Sequence, residues 1–262
     1  MNLRKWLAMK GFFGTAPGGG TGGGGMVVCN LETPSKSNTV ADILQGLMIS
    51  YPNATSVGRI AFSECTALTS VDLPNVTSID IAAFRECTAL TSINLPKATS
   101  IGGSVFANCT ALTSINIPNV TSIGEWAFDY CTALTSIDLP NVTSVDGSAF
   151  RGCTALTSIN LPKATSIGDN AFGDCTSLSA LILSNTEAVC EFIVTAVGGT
   201  KVMTAEGVLT GEGFIYVPTK FYETYVANMV AQITQMGLDE ATATYIVTAV
   251  LRKIEDYPEI CG

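Results

Sequence analysis

The sequence predicts an α/β solenoid: 22-residue units stacked on one axis, short parallel strands on the concave face, and a helical cap at the C-terminal end. Two observations predict it. Cysteine recurs at 65, 87, 109, 131, 153 and 175, phenylalanine at 62, 84, 106, 128, 150 and 172, and proline at 52, 74, 96, 118, 140 and 162, all at a period of 22. A fixed period of this length marks a repeat architecture, in which each unit contacts only its neighbours. Each unit also carries more apolar groups than it can bury alone. The unit through Cys87 has Leu68, Val71, Leu73, Val76, Ile79, Ala83, Phe84 and Cys87. Stacking brings like onto like, and a buried Phe contributes roughly 1.5–3 kcal/mol.

Residues 1–13 read as an anchor peptide, or more plainly as a disordered tail, with Leu3, Trp6, Leu7, Met9, Phe12 and Phe13, and Arg4, Lys5 and Lys10 as the only charged side chains. The apolar run Trp6–Met9 is too short for a secretory signal, so synthesis in the cytoplasm without a signal peptide is expected. Residues 14–25 (GTAPGGGTGGGG) are a flexible linker with a span of roughly 17–21 Å root-mean-square. Residues 26–48 are an N-terminal cap, in which Met26–Leu31 suits an edge strand and Thr39–Met48 a short amphipathic helix with Ser37 or Asn38 as N-cap.

Residues 49–190 are the solenoid. The stretch Leu68-x-x-Val71-x-Leu73 alternates as a short strand does, and Pro74, lacking an N–H, stops it. Gly or Asp at 58, 80, 102, 124, 146 and 168 suggests a turn at positive φ, with a single helical turn ending in Ala-Phe. Residues 191–262 are the second cap. Glu191–Val217 reads as β-like with glycine turns. Thr219–Gln235 reads as a helix with Phe221, Tyr225, Val226, Met229 and Ile233 on one face. A second helix is expected over Asp239–Ile254, N-capped by Asp239.

The pattern L-x-x-I-x-L-P-x-x-x-x-x-I-G-x-x-A-F-x-x-C over residues 49–190 resembles the BspA-like class of leucine-rich repeat. The resemblance implies a curved right-handed solenoid and a setting among bacterial, protozoan or phage-encoded surface and adhesion proteins. Phe214–Pro218 (FIYVP) and the Tyr-rich helix after it also resemble the terminal module often seen behind such repeats, read here as a cap.

Nine cysteines raise the question of disulfides. Adjacent rungs lie about 4.8 Å apart with parallel Cβ vectors, whereas a disulfide needs converging Cβ atoms about 3.8 Å apart. A file of free, buried thiols is expected, and a row of equivalent cysteines does not make a tetrahedral metal site. Cys29, Cys190 and Cys261 lie outside the file.

Composition narrows the function. Charged residues are 13%, net charge is −9, and there is no histidine. Clustered cations for nucleic acid are absent, as is the commonest general base and metal ligand. No apolar run reaches the roughly 18 residues of a membrane span. No nucleophile is paired with a base, and no Lys-Ser/Thr follows the glycines at 18–25 to make a phosphate loop. The expectation is therefore no catalytic residue, no cofactor and no metal.

Two surfaces are candidate ligand sites. Asp72, Asn94, Asn116, Asp138 and Asn160 form a polar ladder on the strand face, where a glycan or a host-surface protein could be hydrogen-bonded. Trp126 and Tyr130, four apart in the variable segment around Ala-Phe, are the kind of pair that anchors interfaces. Each also has a plain reading, as a solvated sheet face or as packing. Leu3, Trp6, Leu7, Phe12 and Phe13 are the candidate anchor to a larger assembly. The leading reading is a binding or adhesion protein, attached to a phage or prophage virion as a receptor-binding or decoration protein, or else on a cell surface. The alternative is an intracellular scaffold that forms homo-oligomers through its terminal segments.

Overall fold

A computed structural model describes residues 47–50, 52–192, 194–203 and 212–258. Successive rungs are joined on three sides. One side carries the strands Leu47–Ser50, Leu68–Asp72, Ser92–Asn94 and Ser114–Asn116, then Ser158–Asn160 and Ala180–Ile182. The second carries Ser56–Val57, Ser78–Ile79, Ser100–Ile101, Ser122–Ile123, Ser144–Val145, Ser166–Ile167 and Glu191–Phe192, a continuous seven-stranded sheet. All pairings are parallel. From Leu68–Asp72 to Ala180–Ile182 they are in the register of the repeat, as in Ser70↔Ser92, Val71↔Ile93 and Asp72↔Asn94.

The third side is a ladder of turns. Alternate N–H groups reach forward to the next rung: Phe62 to the Ala83 carbonyl at 2.7 Å, Glu64 to Arg85 at 2.7 Å, and so on to Phe172 and Ala196. The intervening N–H groups close local turns, such as Cys65 to Phe62 at 3.1 Å. Most backbone donors of the segment thereby find an acceptor, as burial favours. Alternation of this kind needs left-handed residues. They fall just before Ala-Phe or its equivalent (Ile60, Ala82, Ser104, Trp126, Ser148, Asn170) and just before Cys (Glu64, Glu86, Asn108, Tyr130, Gly152, Asp174). Two expectations are corrected here. Positive φ does not sit at 58, 80, 102, 124, 146 and 168, and the segment is a run of turns rather than one helical turn. The glycines at 124 and 168 instead allow close approach: a Cβ on Gly168 would lie 2.5 Å from the Gly147 nitrogen.

Side chains repeat the ladder. The six phenylalanines stack with centroids 5.0, 5.6, 5.2, 5.0 and 5.5 Å apart. The six cysteines form one buried file of free thiols, and each from Cys87 to Cys175 donates to a carbonyl of the preceding rung, as Cys87 Sγ does to Phe62 O at 3.0 Å and Cys131 Sγ to Phe106 O at 3.2 Å. Cysteine is thus more than a small apolar filler: its thiol satisfies the second lone pair of a buried carbonyl. Burial, with the neighbouring thiols, pushes Cys87, Cys131 and Cys153 well above the ordinary thiol value, and burial pushes Cys109 up to about 12. The neutral thiol is therefore the form the fold favours. Its contribution is complete below the unfolded value near 9 and is lost as pH rises from there towards the folded values. We expect the urea midpoint to fall steeply above about pH 9, and native protein at pH 8 to leave the six laddered thiols unlabelled by a disulfide reagent until denatured. Rapid native labelling of a Cys131-only variant would contradict this.

The strand side is interrupted. Thr135–Leu139 has no strand, although its sequence TSIDLP is nearly that of Thr69–Pro74 (TSVDLP), so an expected strand is missing from one rung. Ile115 and Ile137 are only partly buried beside it, while Ile93 and Ile159 are buried. The Ser-Ile sheet and the turn ladder run unbroken through the same rungs, so the opening is confined to one side of the stack.

At the C-terminal end the repeat is finished by substitutes. Asn185, following Ser184 where proline is due, accepts from the N–H groups of Glu187 and Ala188 and donates to Ala164 O. The expected β-like run after Glu191 is corrected at Val194–Val197, a 3-10 turn that takes the last ladder bonds. Strands Phe214–Val217 and Leu251–Lys253 extend the strand side. Helices α1 (Tyr222–Gln235) and α2 (Glu240–Val250) pack on each other over them. Tyr225, Met229 and Ile233 of α1 are buried as the periodicity predicts, with Phe221 and Val226 at the margin. The Tyr225 hydroxyl accepts from the Cys190 N–H at 2.7 Å, pinning α1 to the last rung. Asp239 caps α2 by accepting from the Thr242 N–H at 2.9 Å. Helix α2 ends at Val250, not Ile254, because Leu251–Lys253 pairs with Phe214–Val217. At the other end Leu47–Ser50 is a strand, so the helix expected over Thr39–Met48 does not reach Met48. The rest of that helix, Met26–Leu31, the linker, Cys29, Cys261 and the anchor residues Leu3, Trp6, Leu7, Phe12 and Phe13 lie outside the described residues.

Candidate ligand surfaces

The strand-side ladder is partly assembled. Asn94 Nδ2 donates to Asp72 Oδ1 and Asn116 Nδ2 to Asn94 Oδ1, each at 2.8 Å. These bonds hold the side chains in a row and also occupy part of their capacity for a ligand. Asp138 stands apart on the rung without a strand, exposed and without a side-chain hydrogen bond among the described residues. Asn160 is also separate, its Oδ1 accepting from Ser184 Oγ at 2.9 Å. The structure therefore brings Asp72, Asn94 and Asn116 together and leaves Asp138 and Asn160 outside that chain. Threonine hydroxyls are spent on the scaffold: Thr91 Oγ1 donates to Thr69 O at 2.9 Å and Thr113 Oγ1 to Thr91 O at 3.1 Å. Their recurrence at 69, 91, 113, 135 and 157, with the hydroxyl kept by Ser179, was the available signal of that role.

The turn side is where the units differ. Trp126 and Tyr130 are 44% and 39% exposed, both in left-handed backbone. Tyr130 is set in a frame that sequence reasoning did not assemble. The Arg151 guanidinium lies 5.2 Å from its ring centroid, and Arg151 Nε donates to Asp129 Oδ1 at 3.2 Å. Burial of Asp129 outweighs the pull of Arg151 and holds its carboxyl above the ordinary value. Gly152 makes room for the ring: a Cβ there would meet Tyr130 Cδ1 at 2.7 Å. A cavity of about 610 Å³ lies where the seven-stranded sheet meets the turn side, lined by Glu125, Asp146, Gly147, Ser166, Glu191 and Gln232 of α1 among others. The arrangement offers flat aromatic faces, one fixed guanidinium and unneutralised carboxylates. Among the described residues no three ligand-type side chains converge as a metal site requires, and no helix is long and apolar enough to cross a membrane.

A description of the BspA type leucine rich repeat region matches residues 55–179 in six copies. No curated protein matches the sequence. Among solved structures, a leucine-rich repeat protein from Eubacterium ventriosum is 26% identical with a TM-score of 0.54, over 61% of this chain and 44% of its own. One from Bacteroides ovatus is 31% identical with a TM-score of 0.49, over 57% of this chain and 43% of its own. The chain thus spans under half the length of these two proteins. Six stacked units, the leucine-strand and Ala-Phe-turn pattern of each, and the family match have one reading: residues 55–179 of this chain are BspA type leucine-rich repeats.

Proposed function

We propose that the chain is a non-enzymatic binding protein that displays the side of a rigid solenoid to a protein or glycan on a host surface. The carrying observation is the division of labour within each unit. Recurring residues are buried or bonded from rung to rung, whereas the residues that change from unit to unit lie in the turn ladder, where Ile60, Ile81, Trp126 and Tyr130 among them are exposed. A scaffold that fixes its interior and varies its surface is built for recognition. One version places the chain on a virion or another large assembly through residues 1–13, with residues 14–25 as tether; a cell-surface setting is the other. Immobilised full-length protein should bind whole cells saturably, or a defined set on a glycan array. Substrate turnover abolished by a single Asp or Cys substitution would replace this reading with catalysis. A scaffold reading draws on Met236, Leu238 and Tyr245, exposed apolar side chains on and between the cap helices; stable oligomers without any surface binding would favour it.

A further inference from the structure

We infer that the turn side around Trp126 is the principal contact surface and that its partner is a basic polypeptide segment. The inference rests on the binding reading above and adds the place and the chemical class.

The first observation is a residue choice that folding does not explain. Left-handed backbone suits Gly, Asn and Asp and is costly for bulky side chains. In the position of Trp126 other units place Ile60, itself 40% exposed, and Ala82, Ser104, Ser148 and Asn170, and in that of Tyr130 they place Glu64, Glu86, Asn108, Gly152 and Asp174. One rung alone installs two large aromatics, at φ 55° and 54°, and leaves both substantially exposed. Trp126 has the largest of the side chains at its position and stays 44% exposed, which points to a role outside the fold. Tyr130 is moreover held rigid by Arg151 and seated on Gly152, so its ring is presented with little freedom left to lose on binding.

The second observation is charge. Across the six turn segments, from 58–64 to 168–174, there are eight acidic residues and three basic ones. The bases Arg85 and Arg151 are already paired, with Glu86 and Asp129. Glu125, Asp146 and Glu191, around the cavity, are in no ion pair among the described residues. Trp126 follows Glu125, and its backbone N–H donates to Gly147 O at 3.2 Å; Glu125 and Gly147 both line the cavity. Carboxylates beside exposed aromatic faces complement lysine and arginine: the carboxylate pairs with the cation, and the ring accepts it on its face.

The test uses full-length protein and a fluorescent deca-arginine peptide, with deca-glutamate and a neutral glycan array beside it. Trp126→Ser copies Ser104 and Ser148, so the fold should persist with an unchanged thermal midpoint. Deca-arginine should bind, more weakly at higher salt, and Trp126→Ser and Glu125→Gln should each weaken it about tenfold. Asp138→Asn, the same change of charge on the strand side, should not. Equal affinity in wild type, Trp126→Ser and Glu125→Gln would overturn the inference, as would equal weakening by Asp138→Asn, or Trp126-dependent binding of neutral glycans alone. If cells bind while deca-arginine does not, this inference fails and the binding reading stands.

Discussion

Phe128→Ala is expected to destabilise the protein by about 3–5 kcal/mol. Phe128 is fully buried and stacked on both faces, 5.2 Å from Phe106 and 5.0 Å from Phe150. Truncation loses the transfer energy of the ring and leaves a cavity that cannot collapse, because the rungs above and below are held by turn-ladder bonds. The Phe128 N–H itself donates to Ala149 O at 2.7 Å. In a solenoid each rung couples only to its neighbours, so a weak link at the middle should also lower cooperativity. Urea unfolding followed by circular dichroism should show a lower midpoint and a broadened or split transition. A loss below about 1 kcal/mol would mean that the phenylalanine file is not the spine of the fold.

Gly168→Ala should cost about 3 kcal/mol, near the upper end of overpacking effects. The added Cβ would lie 2.5 Å from the Gly147 nitrogen, 2.9 Å from the Asp146 carbonyl carbon and 3.0 Å from the Gly147 Cα. All three are backbone atoms, so no side-chain rotation relieves the clash. Two rungs must separate beside the Ser166–Ile167 and Ser144–Val145 pairing. Gly58→Ala is the control: nothing lies within 4 Å of its Cβ, and the change should be neutral or slightly stabilising. Differential scanning calorimetry should show Gly168→Ala lower by roughly 6–12 °C, with Gly58→Ala within a degree or two of wild type by the same scale. A like effect in both would dissociate the cost from rung contact.

The stack itself was legible because its contacts join identical residues. Phe on Phe and Cys on Cys appear in the sequence as a period, and no distant element has to be located to find them. The hydrophobic face of α1 and the Asp239 cap were legible for a related reason, since both are set within a few residues of chain. Left-handed positions were not. Ile60, Ala82 and Trp126 have no preference for that conformation, which is imposed by N–H groups reaching the next rung. The end of α2 escaped because the strand that claims Leu251–Lys253 lies far away in sequence. Trp126 and Tyr130 could be singled out from their spacing alone. Their frame of Asp129, Arg151 and Gly152 spans two rungs and needed the register to become visible.

By itself, then, the order of residues determined the repeat, the composition of its core and the reduced state of its sulfur file, because each follows from placing like on like at a constant step. Only the tertiary structure decided where the backbone turns left-handed, which rung opens on the strand side, and which charges gather beside the exposed aromatics. Those features arise between rungs, from backbone hydrogen bonds and charges that one unit presents to the next.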